Sequence, residues 1–401
     1  MARTIPRGWQ ELEIKDFLKF TPRGVDKPKV KYRSLGIRSH CKGTFVREVE
    51  NPDKVMMDTL YAVKKDDLIV NITFAWEGAV ALVNKSDEGA LVSHRFPTYV
   101  FDRSVVVPEF FRYLIPSKRL VYSLGIISPG GAGRNRVLDR KDFLHLQFIM
   151  PPAEEQKLIA NFISTWDQAI DTLGKLIKSK TCRFNGLIDL LTSPNRKCCD
   201  WEETSIGKLG DIIKGKGITK NDLTETGIPC IRYADLYTQY DFVIRKINSF
   251  ISSKAVATSH VLKYGDILFA GSGETAEDIG KCAVYLGEYR SAVVGGDTLI
   301  LKQTICDPNY LAYALNSPAV NKQKSVFGHG HSVVHLYGKD LKKVRLFLPS
   351  VEYQKKYATI LNSAKQEIDL LKSLMQCYCD QKMGIIQKLL TGKIRVKGVT
   401  Q

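Results

Sequence analysis

The chain repeats itself once along its length, and this duplication restricts the possible folds more than any other feature. Four residues recur in the same order at a shift of 198 positions: Pro151, Glu154, Gln156 and Lys157 return as Pro349, Glu352, Gln354 and Lys355. Farther from this block the matches stay collinear while the shift drifts, as loop insertions would cause; Trp9 matches Trp201 and Pro108 matches Pro308. A long period that covers the whole chain predicts two tandem copies of one structural unit.

Each copy consists of a mixed region followed by a long helical region. Short apolar runs such as Asp67–Phe74 and Gly265–Ala270 are bounded by Gly, Pro, Asn and Asp, which is typical of strands and turns. We therefore expect an α+β fold of two mixed globular regions and two long helices. The expected bounds are 1–150 and 194–348 for the globular regions, 151–193 and 349–392 for the helices, and 393–401 for a C-terminal tail.

Both helical regions carry apolar residues at alternating steps of three and four, the a/d pattern of a coiled coil. The first row is Ile159, Phe162, Trp166, Ile170, Leu173, Ile177, Phe184, Leu187 and Leu191. The second row is Tyr357, Leu361, Ala364, Ile368, Leu371, Met375, Tyr378, Ile385 and Leu389. One lysine interrupts each row, Lys180 and Lys382. Because neither row can stay exposed to water, we expect an antiparallel, pseudo-two-fold coiled coil; an ordinary helical bundle core is the alternative.

The charge of the chain indicates the kind of partner. The 401 residues carry a formal net charge of +17 at pH 7, which favours a polyanion. Nucleic acid is the commonest such partner, although an anionic membrane surface would attract the same charge. No run approaches the ~20 apolar residues that cross a bilayer. The nine cysteines include no Cys-x-x-Cys pair, so we expect reduced thiols in a soluble, cytoplasmic protein.

The helix length suggests what two copies of one domain could do together. About 40 residues at 1.5 Å per residue give a helix of roughly 60 Å. Since one turn of DNA measures about 34 Å, a rod of this length spans between one and two turns. Two domains held apart by such a rod could read two separated half-sites on one duplex, and copies with different surfaces would read different half-sequences.

These features together resemble the specificity subunit of type I restriction–modification systems. The resemblance rests on two non-identical globular regions, each followed by a Pro-x-x-Glu-x-Gln-Lys segment (from Pro151 and from Pro349) and a heptad helix, and it covers essentially the whole chain. It implies that each globular region is a target recognition domain for one half of a split DNA sequence. It also implies that the helices space these domains and dock modification subunits.

The resemblance implies a subunit without catalytic activity, metal or cofactor of its own. S-adenosylmethionine is expected in the partner methyltransferase. Two quasi-equivalent surfaces on one chain suggest two modification subunits, and restriction or translocase subunits are further possible partners. The sequence agrees in lacking a Gly-x-x-x-x-Gly-Lys-Ser/Thr loop. The string Asp307–Tyr310 lacks the second proline of an adenine methyltransferase motif and predicts a helix start.

Two short motifs resemble binding sites, but each can also be explained as ordinary loop or turn structure. Gly271–Glu274 could bind phosphate but is more typical of a plain loop. His329, His331 and His335 could bind a metal, but their counterparts in the first copy contain no ligand residue. We therefore favour a glycine-rich loop that faces DNA or packs on the helix base, or ordinary turn structure, over a metal site.

Candidate DNA contacts are basic residues that cluster with aromatic or glycine neighbours, because Lys and Arg supply most phosphate contacts and Arg also reads base edges. Those of the first copy are Lys31, Arg33, Arg38, His40, Lys42, Arg134 and Arg136. Those of the second copy are Lys214, Lys216, Lys220, Arg232, Lys322, Lys324, His329 and His331. For any one of them, a solvated surface charge is the alternative.

Three other functions remain open at this stage. An RNA-binding protein could use the same duplicated scaffold, but no ribonucleoprotein or KH signature is present. Asp53 with Lys64 is a weak hint of a nuclease, since a second acid at the right spacing is missing. A coiled-coil scaffold that binds only proteins would share the repeat but should show no salt-dependent affinity for DNA.

The glycine-rich loop of the first copy gives a first prediction. Arg134→Ala combined with Arg136→Ala should weaken DNA binding by the assembled complex, because two phosphate-neutralising charges are lost. The measurement is affinity for duplex DNA over a series of salt concentrations. Unchanged affinity with an unchanged salt slope would remove the pair from the candidate contacts.

Overall fold

The chain folds into two compact units, each built around one copy of the repeat. The computed structural model describes residues 5–131, 136–194, 200–218, 220–252, 259–289, 291–330 and 333–396. The first unit contains Met1–Thr172 together with Met375–Gln401, and the second contains Leu173–Leu374. Each unit therefore combines one globular domain with the beginning of one long helix and the end of the other.

The elements of the first half of the chain are mostly short strands followed by helices. The strands are β1 (Gln10–Glu13), β2 (Leu18–Phe20), β3 (Gly24–Asp26), β4 (Tyr32–Ile37), β5 (Thr44–Val49), β6 (Thr59–Ala62), β7 (Leu68–Val70), β8 (Val80–Leu82), β9 (Leu91–Val92), β10 (Thr98–Phe101) and β11 (Gln147–Met150). The α-helices are α1 (Pro108–Leu114), α2 (Lys118–Ile126), α3 (Arg140–Leu144) and the long α4 (Ala153–Thr192).

The second half repeats this order with more and shorter strands. They are β12 (Trp201–Ser205), β13 (Gly210–Lys214), β14 (Leu223–Thr224), β15 (Ile228–Ile231), β16 (Val243–Ile244), β17 (Phe250–Ile251), β18 (His260–Val261), β19 (Ile267–Ala270), β20 (Ser272–Gly273), β21 (Cys282–Tyr285), β22 (Val293–Val294), β23 (Thr298–Gln303), β24 (Val334–His335) and β25 (Arg345–Pro349). The α-helices are α5 (Ile206–Leu209), α6 (Tyr233–Thr238), α7 (Pro308–Leu315), α8 (Pro318–Val326), α9 (Gly338–Leu341) and the long α10 (Val351–Leu389).

The sheets show that the two globular domains share the central part of their topology and differ at the sheet edges. In the first domain the strand orders are β1-β11, β2-β10-β7-β8 and β3-β6-β9-β4-β5. In the second they are β12-β25, β13-β23-β19-β21-β16 and β14-β17-β15-β22-β18, with the small sheet β20-β24 in addition. In this alignment β4 corresponds to β15 and β9 to β22. The predicted α+β class, with two tandem mixed domains and two long helices, is confirmed.

A buried glutamine attaches each long helix to its domain, and this explains the repeated motif. The Gln156 side chain accepts from the Val107 N–H at 2.8 Å and donates to the Pro151 carbonyl at 2.9 Å. Gln354 does the same with the Asp307 N–H at 2.9 Å and the Pro349 carbonyl at 2.8 Å. Val107 and Asp307 precede the first residues of α1 and α7, so each glutamine satisfies a backbone donor at a helix start. The motif therefore has a structural role.

Within each unit the two helix segments run antiparallel. In the first unit Trp166 of α4 packs edge-on against Tyr378 of α10, with ring centroids 5.6 Å apart, while Ile159 and Leu389 share one core cluster. In the second unit Phe184, near the end of α4, shares a core cluster with Leu361, near the start of α10. The apolar rows predicted from the sequence are thus the packed faces of these segments.

The two lysines that interrupt the rows form ion pairs between the helices. Lys180 lies 2.6 Å from the Glu367 carboxylate in the second unit, and Lys382 pairs with Asp167 in the first. Asp167 also accepts from the Tyr113 hydroxyl at 2.7 Å. Each pair therefore joins the two helices across the seam at a polar position.

One position of the predicted seam is wrong. Phe162 is 39% exposed, whereas the adjacent Ile163 is completely buried. The packed row therefore runs Ile159, Ile163 and Trp166, with steps of four and three. Ile163 is also the residue that lies 198 positions before the buried Leu361.

The predicted helix start at Asp307–Tyr310 is confirmed. Asp307 caps α7, because its carboxylate accepts from the Tyr310 N–H at 2.9 Å, and Pro308 occupies the first turn. Among the described residues no helix is both long and apolar enough to cross a membrane.

The C-terminal segment is attached to the first unit by a half-buried ion pair. The Arg395 guanidinium donates to both oxygens of the fully buried Glu155, at 2.5 and 2.6 Å. A further Arg395 N–H donates to the Arg7 carbonyl at 3.0 Å. Gly392 packs against Pro6, so the segment that follows α10 lies against the residues that precede β1.

We expect Arg395→Ala to destabilise the first unit, because Glu155 would be left buried without its counter-charge. Since the carboxylate is buried but the guanidinium is 41% exposed, the cost should be about 1–3 kcal/mol, below that of a fully buried pair, and the thermal transition of this unit should fall. The matched control is Lys356→Ala, which breaks the exposed pair with Glu352 and should cost less than about 0.5 kcal/mol. Equal effects of the two substitutions, measured by calorimetry, would contradict the structural importance of Arg395.

Candidate nucleic-acid interface

The tip of the β4–β5 hairpin is a rigid, exposed projection of the first domain. His40 and Cys41 have φ angles of 60° and 55°, a left-handed conformation that costs a non-glycine residue roughly 1–2 kcal/mol. The structure holds them there with two backbone bonds: the His40 N–H donates to the Glu77 carbonyl at 2.7 Å and the Cys41 N–H to the Gly78 carbonyl at 2.9 Å. The tip is thus fixed on the turn that follows β7.

Close packing under the tip requires a glycine at position 78. Its φ is +76°, and a Cβ there would lie 3.0 Å from the Cys41 sulfur. The Ser39 hydroxyl adds a 2.7 Å bond to the Glu77 carboxylate. The side chains of His40 and Lys42 on this tip are exposed.

Basic candidates from two separate chain segments meet at this turn. Arg38 lies over the Phe45 ring at 5.1 Å, as does Arg47 at 4.9 Å. The Arg136 guanidinium lies over the ring of Trp76 at 5.4 Å, and Trp76 belongs to the same short helical turn as Glu77. Arg136 is therefore placed beside the hairpin tip, while Arg134 lies outside the described residues.

Lys31 and Arg33 occupy the other end of the same hairpin. The Lys31 ammonium lies 3.2 Å from the Glu48 carboxylate, and Arg33 donates to the Ser86 carbonyl at 2.5 Å. The six residues of β4 separate Lys31 from Arg38, and the seven residue steps between them span roughly 23 Å. The basic run predicted from the sequence is thus divided between the two ends of the hairpin; Arg38 at the tip donates to the Thr44 carbonyl at 2.5 Å, and in the described part of the structure only Lys31 at the base forms an ion pair.

The second domain presents a basic cleft. A cavity of about 780 Å³ is lined by basic, aromatic and glycine residues: Lys214, Gly215, Lys216, Gly217, Lys220, Arg232, Tyr233, Gly296 and Asp297, together with Ile218 and Ala234. Only a glycine fits at position 215, because a Cβ there would lie 2.1 Å from the Gly295 carbonyl oxygen. This close approach joins the loop after β13 to the loop after β22. Four cations predicted from sequence therefore line one cleft.

The four cations of the cleft differ in whether they form ion pairs within the domain. Arg232 donates to the buried Asp235 carboxylate at 2.8 Å, and this bond raises the pKa of the arginine. Lys214 lies 3.5 Å from Asp297. Lys216 and Lys220 are exposed and form no ion pair within the described ranges. The two free lysines are the best placed to meet a phosphate.

Lys324 is withdrawn from the candidate DNA contacts. Its side chain is completely buried, and its ammonium donates to the carbonyls of Gly280 at 2.6 Å and Leu315 at 3.0 Å. Burial lowers the pKa of this lysine. The sequence could not separate it from Lys322, which is exposed on the same helix α8.

The histidine cluster does not assemble a metal site in the part of the chain that is described. His329 and His335 pair as an isolated bridge, and the His335 ring nitrogen Nδ1 lies 2.9 Å from the Ser272 hydroxyl. His329 lies 3.6 Å from the Asp340 carboxylate. No group of three or more His, Cys, Asp or Glu suited to a metal occurs among the described residues, and His331 lies outside them.

Gly271–Glu274 is not a phosphate loop. Ser272 and Gly273 form β20, which pairs with β24. The Gly271 N–H donates to the Asp297 carbonyl at 2.7 Å.

The sequence analysis missed the residues that support the interface. Trp76 and Glu77 carry no local signal, because their role depends on contacts with His40 and Arg136, which are distant in the chain. Phe45 and Arg47 lie on alternate positions of β5 and could have been grouped with Arg38 from the alternation of the strand.

A duplicated α+β fold, with free cations at an edge of each domain, defines a nucleic-acid recognition protein. The family described as the type I restriction modification DNA specificity domain matches residues 6–179 and again 199–376. The chain belongs to this family, and it is a DNA-recognition subunit with no catalytic role of its own.

Similarity to individual proteins extends over the whole chain. The MjaVIII specificity subunit of a type I restriction enzyme from Methanocaldococcus jannaschii is 24% identical, over 98% of this chain and 95% of that protein. A chain from a structural study of type I restriction–modification assembly and conformational transition has a TM-score of 0.62 at 17% identity, covering 98% of this chain and all of that one. The type I S subunit of M. genitalium has a TM-score of 0.56 at 15% identity, covering 97% and 98%. These structures support the fold.

The free lysines of the second domain yield a prediction. Lys216→Ala combined with Lys220→Ala should lower the slope of log affinity against log salt by about one to two, since each phosphate contact contributes about 0.9. The control is Lys208→Ala, an exposed lysine on α5 before β13. If the double variant has the same salt slope as this control, neither lysine belongs to the interface. Fluorescence titration of duplex DNA with the assembled complex is the measurement.

Proposed function

We propose that each globular domain reads one half of a bipartite DNA target. The observation that carries this proposal is the duplication of one DNA-specificity fold with different side chains at its exposed edge. The first domain presents a hairpin tip with Arg38, His40 and Lys42. The second presents a cleft with Lys214, Lys216 and Arg232. Two different surfaces on one scaffold suit two different half-sequences in one asymmetric site.

The long helices would set the spacing and dock the partners. In this proposal the distance between the half-sites follows from the helix length, which is about 60 Å for the 40 residues of α4. The chain assembles with modification subunits, two of them in our proposal, which would bind the S-adenosylmethionine and transfer the methyl group. Restriction subunits would join the complex where the system also cleaves DNA.

The alternative of a scaffold or RNA-binding protein is not favoured. Membership of a DNA-specificity family accounts for the duplication and for the excess of positive charge together. A pure scaffold would have no need for exposed cations at the edges of both domains, and Arg38, Lys42, Lys216 and Lys220 form no ion pairs among the described residues.

The test is the methylation pattern of cells that carry this gene. Single-molecule sequencing of native DNA should reveal a motif of two short, different half-sites separated by a fixed gap, and deletion of the gene should abolish it. Replacement of the second domain alone should change one half-site and leave the other half-site and the gap unchanged. If every methylation motif persists after deletion while the modification genes are expressed, the proposal is contradicted.

A further inference from the structure

The sheets β3-β6-β9-β4-β5 and β14-β17-β15-β22-β18 each contain one parallel pair of strands, and the two pairs correspond between the domains. In the first domain β4 runs parallel to β9, with Ser34 opposite Leu91. In the second domain β15 runs parallel to β22, with Ile231 opposite Val294. The other named pairs of these sheets are antiparallel. Because parallel strands end at the same edge, the loops that follow them lie side by side.

In the second domain this edge is the basic cleft. Arg232 is the first residue after β15, and Gly296 and Asp297 belong to the loop after β22. All three line the cavity of about 780 Å³. Four candidate DNA contacts of the second domain, Lys214, Lys216, Lys220 and Arg232, therefore lie around the carboxyl ends of the parallel pair.

In the first domain the same edge brings in a histidine and an arginine that were not among the contacts predicted from sequence. Arg38 is the first residue after β4, and the loop after β9 contains His94 and Arg95, both exposed. This loop has five residues before β10, against three between β22 and β23. The first domain thus carries a longer, basic loop where the second domain carries a short, glycine-rich one.

The loop that carries Arg95 is held in a defined conformation. The Arg95 N–H donates to the Ser93 hydroxyl at 3.3 Å, and the Phe96 N–H donates to the Ser93 carbonyl at 3.0 Å. The Arg95 carbonyl accepts from the Ile72 N–H at 3.1 Å. Phe96 packs against the core cluster that contains Ile37, which ends β4. The backbone is fixed while the guanidinium is exposed.

The cations of this edge are not neutralised within the described part of the chain. Arg38, His40, Lys42, His94 and Arg95 form no ion pair there. Other arginines of the domain do so, since Arg23 pairs with Asp67 at 2.5 Å and Arg103 pairs with Asp66. Three exposed cations without counter-charges there, Arg38, Lys42 and Arg95, lie on two adjacent loops and form a local positive field that suits a polyanion.

We infer that the carboxyl edge of the β4–β9 pair is the base-reading edge of the first domain, and that Arg95 is a specificity-determining residue for its half-site. This inference rests on the proposed function. The occupant is the major groove of duplex DNA, which admits a two-stranded β-ribbon such as the β4–β5 hairpin. The planar fork of Arg95 suits bidentate donation to the O6 and N7 atoms of a guanine, and the adjacent cations suit the flanking phosphates.

The experiment uses the complete complex of this chain with its modification subunits. The probes are a duplex that carries the methylated motif found by sequencing, and two duplexes in which one or the other half-site is scrambled. Arg95→Ala should lower affinity for the motif duplex about tenfold or more. For this variant, scrambling one half-site should no longer lower the affinity, whereas scrambling the other half-site should lower it as in the unsubstituted complex. Affinity for a duplex with both half-sites scrambled should change less than twofold.

Two further variants separate base reading from general charge. Arg95→Lys keeps the charge and loses the fork, so discrimination should fall while the salt slope is retained. The matched control is Lys54→Ala, which removes an exposed, unpaired cation from the turn after β5; the pairing of Tyr32 with Val49 places this turn at the opposite edge of the sheet. The control should behave as the unsubstituted complex.

A measurement on the unsubstituted complex avoids any effect of substitution on folding. The motif duplex should protect Arg95 from a guanidinium-specific dicarbonyl reagent, as followed by mass spectrometry, and the fully scrambled duplex should protect it less. If the complex prefers its motif but Arg95 is unprotected, or Arg95→Ala matches Lys54→Ala, the inference is wrong and the proposed function stands. If the unsubstituted complex shows no preference for the motif, both are wrong.

Discussion

The hydrogen bonds of two buried glutamines hold the architecture together. Gln156 and Gln354 each connect the first turn of a long helix to the start of a short helix in the adjoining domain. A side chain with both a donor and an acceptor satisfies two buried backbone groups at once, which an apolar residue of the same size could not do. The direction in which each helix leaves its domain depends on this contact. The residues that are most similar in the two copies are therefore those that fix the helix, and the reading edges can differ.

The duplication, the class of fold and the existence of both helices could be predicted from sequence because each depends on a regular period. The error at Phe162 arose because the seam position was chosen from one copy of the repeat. In a short heptad segment, a step of three and a step of four from Ile159 fit equally well. Comparison with Leu361 in the other copy would have selected Ile163. The burial of Lys324 could not be predicted, because the carbonyls that hold its ammonium come from Gly280 and Leu315, in other elements of the fold.

The candidate site was predictable only as a set of charges. Sequence proximity grouped Lys31 with Arg38, but an extended strand places them at opposite ends of a hairpin. It also omitted Arg95, whose position beside Arg38 follows from the parallel pairing of β4 with β9. Cations separated by more than fifty residues become neighbours through sheet topology. A search for runs of basic residues along the sequence cannot detect this arrangement.

The way in which the chain divides between its units affects the order in which the units can fold during synthesis. The second unit is a single continuous stretch, Leu173–Leu374, whereas the first also needs Met375–Gln401, including the buried Leu389. On the ribosome, the domain that is made first must therefore wait for the end of the chain before its core and the Glu155–Arg395 pair can close. The second domain can finish earlier. A nascent chain would thus spend most of its synthesis with an incomplete first unit, which is the period when chaperones or a modification subunit could shield it.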